Sequence, residues 1–288
     1  MIPFDKRDGF IWINGSFEKW SEANVHVLNH GLHYASCVFE GIRIYQGKIF
    51  KLDEHMQRLF KSAEILDLVI PFDFDNLCTN VKEIVEKQDV QNGYIRPVVW
   101  RGSEMMAISA QKASTNVAIA CWEWPSYFSP ERLLKGINLT VAEWVRPSPK
   151  SAPTDSKAAG LYMICSLSKH KAEKKGFDDA LMLDYRGYIA EATGANIFFV
   201  KSGELFTPKP DCFLDGITRQ TVIDIAKKNK IKVTEDHFKI QFLEDCSEVF
   251  LTGTAVEITP VSSIDNYKFS DRKITKLLID EFNKEVLN

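Results

Sequence analysis

Apolar positions recur along this chain with two periods, and the switches between them divide it into strands and helices. Residues 10–13 and 16–20 flank Asn14-Gly15 and predict a hairpin, since both turn residues tolerate the left-handed backbone that a two-residue connection requires. Residues 25–28, Val-His-Val-Leu, read as a further strand. Residues 39–50 predict a second hairpin through Gln46-Gly47, with Ile42, Ile44 and Phe50 as its apolar positions. At Leu52 the period changes. Leu52, Met56, Leu59, Ala63 and Leu66 recur at helical spacing, and so do Leu77, Val81, Ile84 and Val85. Two amphipathic helices follow from this, the first carrying Arg58. Residues 94–100 form a strand whose alternation puts Tyr94, Arg96 and Val98 on one face, and whose Pro97 predicts an edge or a strand end. Residues 115–122 are another strand.

The stretch 124–130, Trp-Pro-Ser-Tyr-Phe-Ser-Pro, breaks both rhythms and is the best place for a domain boundary. The expected organisation is an N-terminal α/β domain over 1–123, a linker over 124–134 and a C-terminal domain over 135–288. In the second domain, residues 137–145 are a strand, and a helix opens at Lys157 and stops at Gly176. Hairpins follow around Arg186-Gly187 and Ser202-Gly203. Asp215-Gly216 opens a helix to about residue 230, strands follow at 247–251 and 257–263, and a helix over 272–287 closes the chain. Mixed helices and hairpin-built sheets make this an α/β chain of the α+β type.

Composition excludes several classes. A net charge of −3 without a basic block gives no reason to expect a nucleic-acid or membrane-surface partner. With 45% hydrophobic and 26% charged residues the composition is that of a soluble globular protein. No apolar run approaches the ~18 residues of a membrane span. The first ten residues lack the apolar centre of a signal peptide, so the cytoplasm is expected. Six scattered cysteines without a Cys-x-x-Cys pair read as reduced, buried small hydrophobes. His26, His30 and His33 are close together, but no cysteine or carboxylate cluster accompanies them at ligand spacing. Local packing explains them better than a metal, and no metal is expected.

Four stretches carry candidate chemistry. Lys157 is followed by Ala158-Ala159-Gly160, and small neighbours leave room beside its amine for a flat group. In apolar surroundings such an amine loses basicity and becomes a nucleophile toward a carbonyl; a surface lysine at a helix start is the plain alternative. Glu191-Ala192-Thr193-Gly194-Ala195-Asn196 follows a strand, so its carboxylate either faces water or holds a protonated ring nitrogen. Gly216-Ile217-Thr218 at a helix start offers backbone N–H groups and a hydroxyl to a phosphate, although capping alone explains Asp215 or Thr218 equally well. Gly253-Thr254-Ala255 repeats that small, donor-rich theme. An aldehyde, a ring nitrogen and a phosphate together describe pyridoxal 5′-phosphate.

At this level of detail the chain resembles the branched-chain amino acid aminotransferases, members of the class IV (fold type IV) pyridoxal-phosphate enzymes. The resemblance rests on His33-Tyr34, Val38-Phe39-Glu40-Gly41-Ile42-Arg43, His55-Met56-Gln57-Arg58-Leu59, Tyr94-Ile95-Arg96-Pro97, Lys157-Ala158-Ala159-Gly160, Gly216-Ile217-Thr218-Arg219 and the run from Gly253 to Pro260. It implies a two-domain fold, each domain a mainly antiparallel sheet or barrel with helices. It also implies that Lys157 is the Schiff-base lysine and proton shuttle, that Glu191 partners the pyridine nitrogen, and that Tyr162 bonds the phenolic oxygen. Arg58, Ile217, Thr218 and Thr254 are implied to hold the phosphate, with Asn196 beside the cofactor. Phe39, Gly41, Tyr94, Arg96, Thr254 and Ala255 are implied to build the substrate pocket, and Tyr34 to reach across a homodimer interface, higher assemblies remaining open. The implied reaction is ping-pong transfer of an amino group between leucine, isoleucine or valine and 2-oxoglutarate.

Residues 100–109 depart from the loop many bacterial members carry, and Arg101 there is expected to assist acidic substrates or to gate the loop. Glu104 is a second departure in that loop, and Ala195 stands where some members carry glutamate. Rivals within the fold are D-amino acid aminotransferase, (R)-amine transaminase and aminodeoxychorismate lyase; Phe39-Glu40-Gly41-Ile42-Arg43 favours the branched-chain group. A metal-dependent hydrolase using the three histidines, or a cofactor-free binding protein, are the rivals from other classes.

Overall fold

The computed structural model describes residues 2–124 and 135–287, which divide into two compact units. One comprises Met1–Pro125 together with Ser156–Gly160, the other Ser126–Asp155 and Leu161–Asn288. The segment carrying Lys157 therefore belongs to the first unit, although its sequence position had assigned it to the second. The linker expected over 124–134 lies outside the described residues apart from Trp124. Among the described residues no helix is long and apolar enough to cross a membrane.

The first unit is built on an antiparallel sheet of β1 (Phe10–Ile13), β2 (Ser16–Lys19), β3 (Cys37–Phe39), β4 (Ile42–Tyr45), β5 (Lys48–Ile49), β6 (Gly93–Arg101) and β7 (Thr115–Glu123). Its order is β2-β1-β7-β6-β4-β5, with β3 also on β6. The first hairpin turns at Asn14 and Gly15, both at positive φ, as the dipeptide requires. The expected strand at 25–28 does not form. Residues 25–28 find no sheet partner among the described residues, and Val25, Val27 and Leu28 are exposed. A short helix, α1 (His30–Tyr34), follows.

α2 (Leu52–Ile65) and α3 (Phe74–Lys87) pack on this sheet. Met56, Leu59 and Ala63 from α2, and Leu77, Val81 and Ile84 from α3, enter one core with Trp12, Val38, Ile95 and Ile119. Asp73 caps α3 by accepting from Asn76 N at 2.7 Å. Each large apolar side chain so buried contributes about 1.5–3 kcal/mol.

Pro97 sits in mid-sheet rather than at an edge. β6 pairs β7 along its whole length, but on its other side β3 ends at Phe39 and β4 begins at Ile42. The Pro97 carbonyl accepts from Glu40 N at 2.9 Å, so the position lacking an N–H faces the break at Glu40-Gly41. The ladder loses nothing there, which is why proline is tolerated.

The second unit holds a mixed sheet of β8 (Ile137–Val141), β9 (Asp179–Leu183), β10 (Ile189–Ala192), β11 (Asn196–Lys201), β12 (Glu204–Pro208), β13 (Val233–Asp236), β14 (Glu248–Gly253), β15 (Glu257–Ile264) and β16 (Tyr267–Lys268). Its order is β10-β9-β8-β15-β14-β11-β12-β13, with β16 on β15. β8 runs parallel to β9 and β15, and β12 to β13; the other pairs are antiparallel. α4 (Tyr162–Lys174) packs on β9, while α5 (Ile217–Lys228) and α6 (Lys273–Glu285) pack on β14 and on each other. Strand β8 stops at Val141, four residues short of expectation. Phe199, Phe238 and Leu251 lie in the core of this unit, with Phe206 and Phe242 packed against it.

Candidate active site

Lys157 is held by tertiary contacts rather than by a helix of its own. Ala158 bridges to Val38, Phe39 N donates to the Lys157 carbonyl at 3.2 Å, and Lys157 N donates to Ser62 Oγ at 3.0 Å. Ser156 Oγ reaches the Ser62 carbonyl at 3.1 Å. A 3-10 turn over Ala159–Leu161 then leads into α4, so the helix expected from Lys157 begins only at Tyr162. The lysine is thereby fixed to the end of β3 and to α2. Its Nζ lies 5.1 Å from the centre of the Phe39 ring.

The carboxylate of Glu40, fully buried beside this strand, has four donors converging on it. Arg58 donates side-on, Nε to Oε1 at 2.6 Å and one Nη to Oε2 at 2.9 Å. His55 Nδ1 donates to Oε2 at 2.7 Å, and Gly41 N donates to the same oxygen at 3.2 Å. Burial by itself pushes the Glu40 carboxyl up, but the Arg58 charge and the bonds from His55 and Arg58 outweigh it and hold the group well below the usual carboxylate range. Burial lowers His55 and the Glu40 carboxylate pulls it back up; with the Arg58 and Lys157 charges added, its value stays below that of a free imidazole. His55 is therefore a neutral donor. In the sequence Glu40 and His55 stood only inside the motifs that carry the resemblance, with no role attached to either.

Tyr94 and Arg96 project from one face of β6, as alternation requires. Arg96 lies 4.7 Å from the Phe39 ring centre and 5.4 Å from that of Tyr94. The Tyr94 ring packs on Trp122 and Trp124. Its hydroxyl occupies the space that a Cβ on Gly41 would fill, which explains glycine there. In this unit Lys157, Phe39, Gly41, Arg58, Tyr94 and Arg96 thus form a connected set. Tyr34 is exposed and packs instead on His30.

The second unit carries the other candidates. Glu191, on β10, has Arg146 Nε 3.4 Å from Oε1 and Asn196 Nδ2 3.1 Å from Oε2. Arg146 also donates to Cys165 Sγ at 3.4 Å, and Tyr162 lies within its electrostatic reach. Burial opposes the Arg146 charge, but Glu191, Cys165 and Tyr162 together more than offset this and raise the guanidinium further. Burial pushes the Cys165 thiol up to about 11.

Asn196 ties two candidate groups together. While Nδ2 donates to Glu191 and to the Leu214 carbonyl, Oδ1 accepts from Gly216 N at 3.1 Å. Gly216 precedes α5, whose first turn, Ile217 and Thr218, has no side-chain cap among the described residues, leaving an end suited to an anion. The fully buried Arg219 steadies this turn through Asp215 and Glu235. Thr252 pairs with Asn196 across β14 and β11, so both side chains share a face, and its buried Oγ1 has no partner among the described residues. Thr254 and Ala255 sit half-buried in the turn between β14 and β15.

The three histidines are engaged in structural hydrogen bonds. His30 is buried between Ser36 Oγ and the Ala107 carbonyl, His33 Nε2 donates to the Val27 carbonyl, and His26 Nδ1 accepts from Leu28 N. Arg101 corrects an expectation. Its guanidinium is buried and donates to the carbonyls of Ala110 and Asp67, at 3.0 and 2.5 Å, so it anchors the loop rather than meeting substrate. Glu104 binds Ser114 and stitches the same loop closed. The cysteines are unpaired, and five of the six are buried.

Comparison with known proteins adds to this picture. A probable branched-chain-amino-acid aminotransferase of Rickettsia bellii is 47% identical over 281 residues, which is 96% of this chain and 96% of that protein. The crystal structure of the Escherichia coli branched-chain amino acid aminotransferase has a TM-score of 0.93 at 37% identity, covering 96% of this chain and 94% of that one. The branched-chain amino acid aminotransferase of Thermobaculum terrenum, crystallised in its PLP-bound holo form, has a TM-score of 0.87 at 30% identity, covering 97% of this chain and 94% of that one. The family description amino-transferase class IV matches residues 37–264. Running from the strand that bridges to Ala158 to the end of β15, that match makes the chain a member of the class IV amino-transferases, the fold-type-IV pyridoxal-phosphate family its motifs resemble.

Proposed function

We propose that this protein transfers the amino group of leucine, isoleucine or valine to 2-oxoglutarate, using pyridoxal 5′-phosphate. The observation that carries the reading is the Glu191–Asn196–Gly216 link, which joins a carboxylate suited to a ring N–H to a helix end suited to a phosphate. The donor set fits the cofactor. It includes an amine beside an aromatic ring, a carboxylate held by a cation, an uncapped helix start and a buried hydroxyl without a partner among the described residues. When bound, the cofactor supplies an aldehyde for Schiff-base formation and an electron-withdrawing ring.

The chain's own residues then have distinct tasks. Lys157 Nζ would be the nucleophile toward the cofactor's aldehyde and the group that carries the α-proton of the amino donor. A Glu191 carboxylate oxygen would accept the ring N–H, with the Arg146 guanidinium facing the same carboxylate. Tyr162 would bond the phenolic oxygen and Arg58, Ile217, Thr218 and Thr254 would hold the phosphate, with Asn196 steadying Glu191 and Gly216. Phe39, Gly41, Tyr94, Arg96 and Ala255 line the substrate pocket, apolar surface suiting branched side chains and Arg96 suiting the carboxylate of glutamate.

The protein acts as a homodimer in the cytoplasm. Support for the dimer comes from an apolar surface on the first unit, where Val25, Val27, Leu28, Leu32, Tyr34 and Ile108 are all exposed.

Borohydride reduction followed by peptide mass analysis tests the lysine, and a panel of amino donors with 2-oxoglutarate tests the substrates. The expected result is a phosphopyridoxyl label on Lys157 and activity with L-leucine, L-isoleucine and L-valine. Activity with D-alanine but not L-leucine would overturn the assignment.

A further inference from the structure

Glu40 and His55 form a buried polar centre that the reaction itself does not use. A carboxylate withdrawn wholly from water is costly unless paired, and here four donors satisfy it. The donors are unevenly shared. Among the described residues Oε1 receives Arg58 Nε, whereas Oε2 receives Arg58 Nη2, His55 Nδ1 and Gly41 N. A side-on, two-point grip of this kind removes the rotation of the guanidinium about its last bond and fixes which edge it turns away from Glu40.

We propose that Glu40, with His55 as its buttress, is a positioning residue that fixes the guanidinium of Arg58 for the cofactor's phosphate. The inference rests on the reading above that Arg58 binds that phosphate. Two physical effects oppose each other here. Negative charge at Glu40 repels a phosphate dianion, so its removal strengthens binding if charge alone matters. Loss of the two-point grip frees Arg58, so its removal weakens binding if orientation matters. Orientation dominates, because a phosphate gains its charge-assisted bonds only from N–H groups aimed at it.

Glu40→Gln separates the two effects. The amide oxygen can take the position with three donors, but its NH2 then confronts Arg58 Nε, donor against donor, and the grip is lost while the other contacts remain. The measurement compares the affinities of the cofactor-stripped full-length protein for pyridoxal 5′-phosphate and for pyridoxal, which lacks the phosphate, by titrating the Schiff-base absorbance. The expected result is a fall of about ten- to a hundredfold in the preference for the phosphorylated form, with pyridoxal affinity unchanged. Arg58→Ala gives at least the same loss, and the double variant loses no more than Arg58→Ala alone. His55→Leu gives a smaller loss, which His55→Asn restores by returning a donor near the Nδ1 position; this pair also serves if Glu40→Gln fails to fold.

An unchanged or increased preference in Glu40→Gln, with Arg58→Ala still impaired, overturns the positioning role alone. An unchanged preference in Arg58→Ala overturns the phosphate reading and the positioning role with it. Equal losses for both aldehydes in Glu40→Gln mark a purely structural role and also overturn the proposal.

Discussion

Arg146 places its Nε 3.4 Å from Oε1 of Glu191, and both side chains are withdrawn from solvent. Neither charge has water to fall back on, so removal of one strands the other. Arg146→Leu is expected to destabilise the protein by about 3–5 kcal/mol, the usual cost of breaking a buried pair. Turnover of the surviving folded enzyme is expected to fall about a hundredfold, because Glu191 loses the cation that faces and orients it. Urea denaturation and steady-state kinetics on the same preparation measure the two effects; unaltered values for both would remove Arg146 from the site.

Lys157 is anchored through its backbone to Phe39 and Ser62, so its side chain can be removed without loosening the strand. Lys157→Ala is expected to fold with little change in thermal midpoint and to lose at least about 10⁴-fold in transamination rate, since nucleophile and proton carrier vanish together. A variant that retains ordinary turnover would end the Schiff-base reading. Restoration of part of the rate by added methylamine would locate the defect at Nζ.

A Cβ at position 41 overlaps the Tyr94 hydroxyl. Gly41→Ala therefore pushes the Tyr94 ring toward Trp122 and Trp124, at a cost of about 1–3 kcal/mol. Because Arg96 leans on the same ring, kcat/KM for amino donors is expected to fall about tenfold. Pairing the change with Tyr94→Phe, which removes the hydroxyl, recovers much of the stability loss. No recovery would show that the clash lies elsewhere.

The reach of sequence reasoning follows from how far each determinant lies along the chain. The hairpin at Asn14-Gly15 and the helix from Leu52 were legible because turn chemistry and helical spacing act between near neighbours. Residues 25–28 have strand-forming side chains but no strand to pair with among the described residues, and strand partners are set by distant residues. Pro97 was misplaced for the same reason, since the break at Glu40-Gly41 that accommodates it lies more than fifty residues away. Lys157, Glu191 and the helix start at Gly216 could be singled out in the sequence as types of chemistry. Their supports could not: Ser62 beneath Lys157, His55 on Glu40, and Arg146 on Glu191 become neighbours only on folding.

Arg101 illustrates the difference in a form that can be measured. An added arginine near a pocket mouth suggests a role with acidic substrates, yet its guanidinium holds the carbonyls of Ala110 and Asp67. Arg101→Ala leaves two carbonyls short of donors and is expected to destabilise the protein by about 2–4 kcal/mol. The KM for 2-oxoglutarate stays within about twofold of the parent value, since surface and anchoring changes away from substrate leave its binding contacts intact. A large rise in that KM without loss of stability would return Arg101 to the substrate.

Acid stability depends on a cluster in the second unit, remote in kind from the chemistry. Arg186 bridges Asp184 and Asp211, with His237 Nε2 2.8 Å from Asp211 Oδ2 and Cys212 beside both carboxylates. Partial burial tends to raise the Asp211 carboxyl, but bonds from Arg186 and His237 outweigh it and bring it down to about 2 from an ordinary 3.8. A carboxyl depressed on folding stabilises the native state in full above its unfolded value, and that stabilisation is lost as the pH falls toward the folded one. Asp211 therefore supports the fold at neutral pH and ceases to do so between about pH 4 and pH 2. Asp211→Asn is expected to melt below the parent at pH 7, with the gap narrowing steadily as the pH is lowered through 4 to 3. Calorimetric melting at pH 7, 5, 4 and 3 follows that gap directly. A difference that stays constant across the series would mean that packing, not the ionised carboxylate, is what the aspartate contributes.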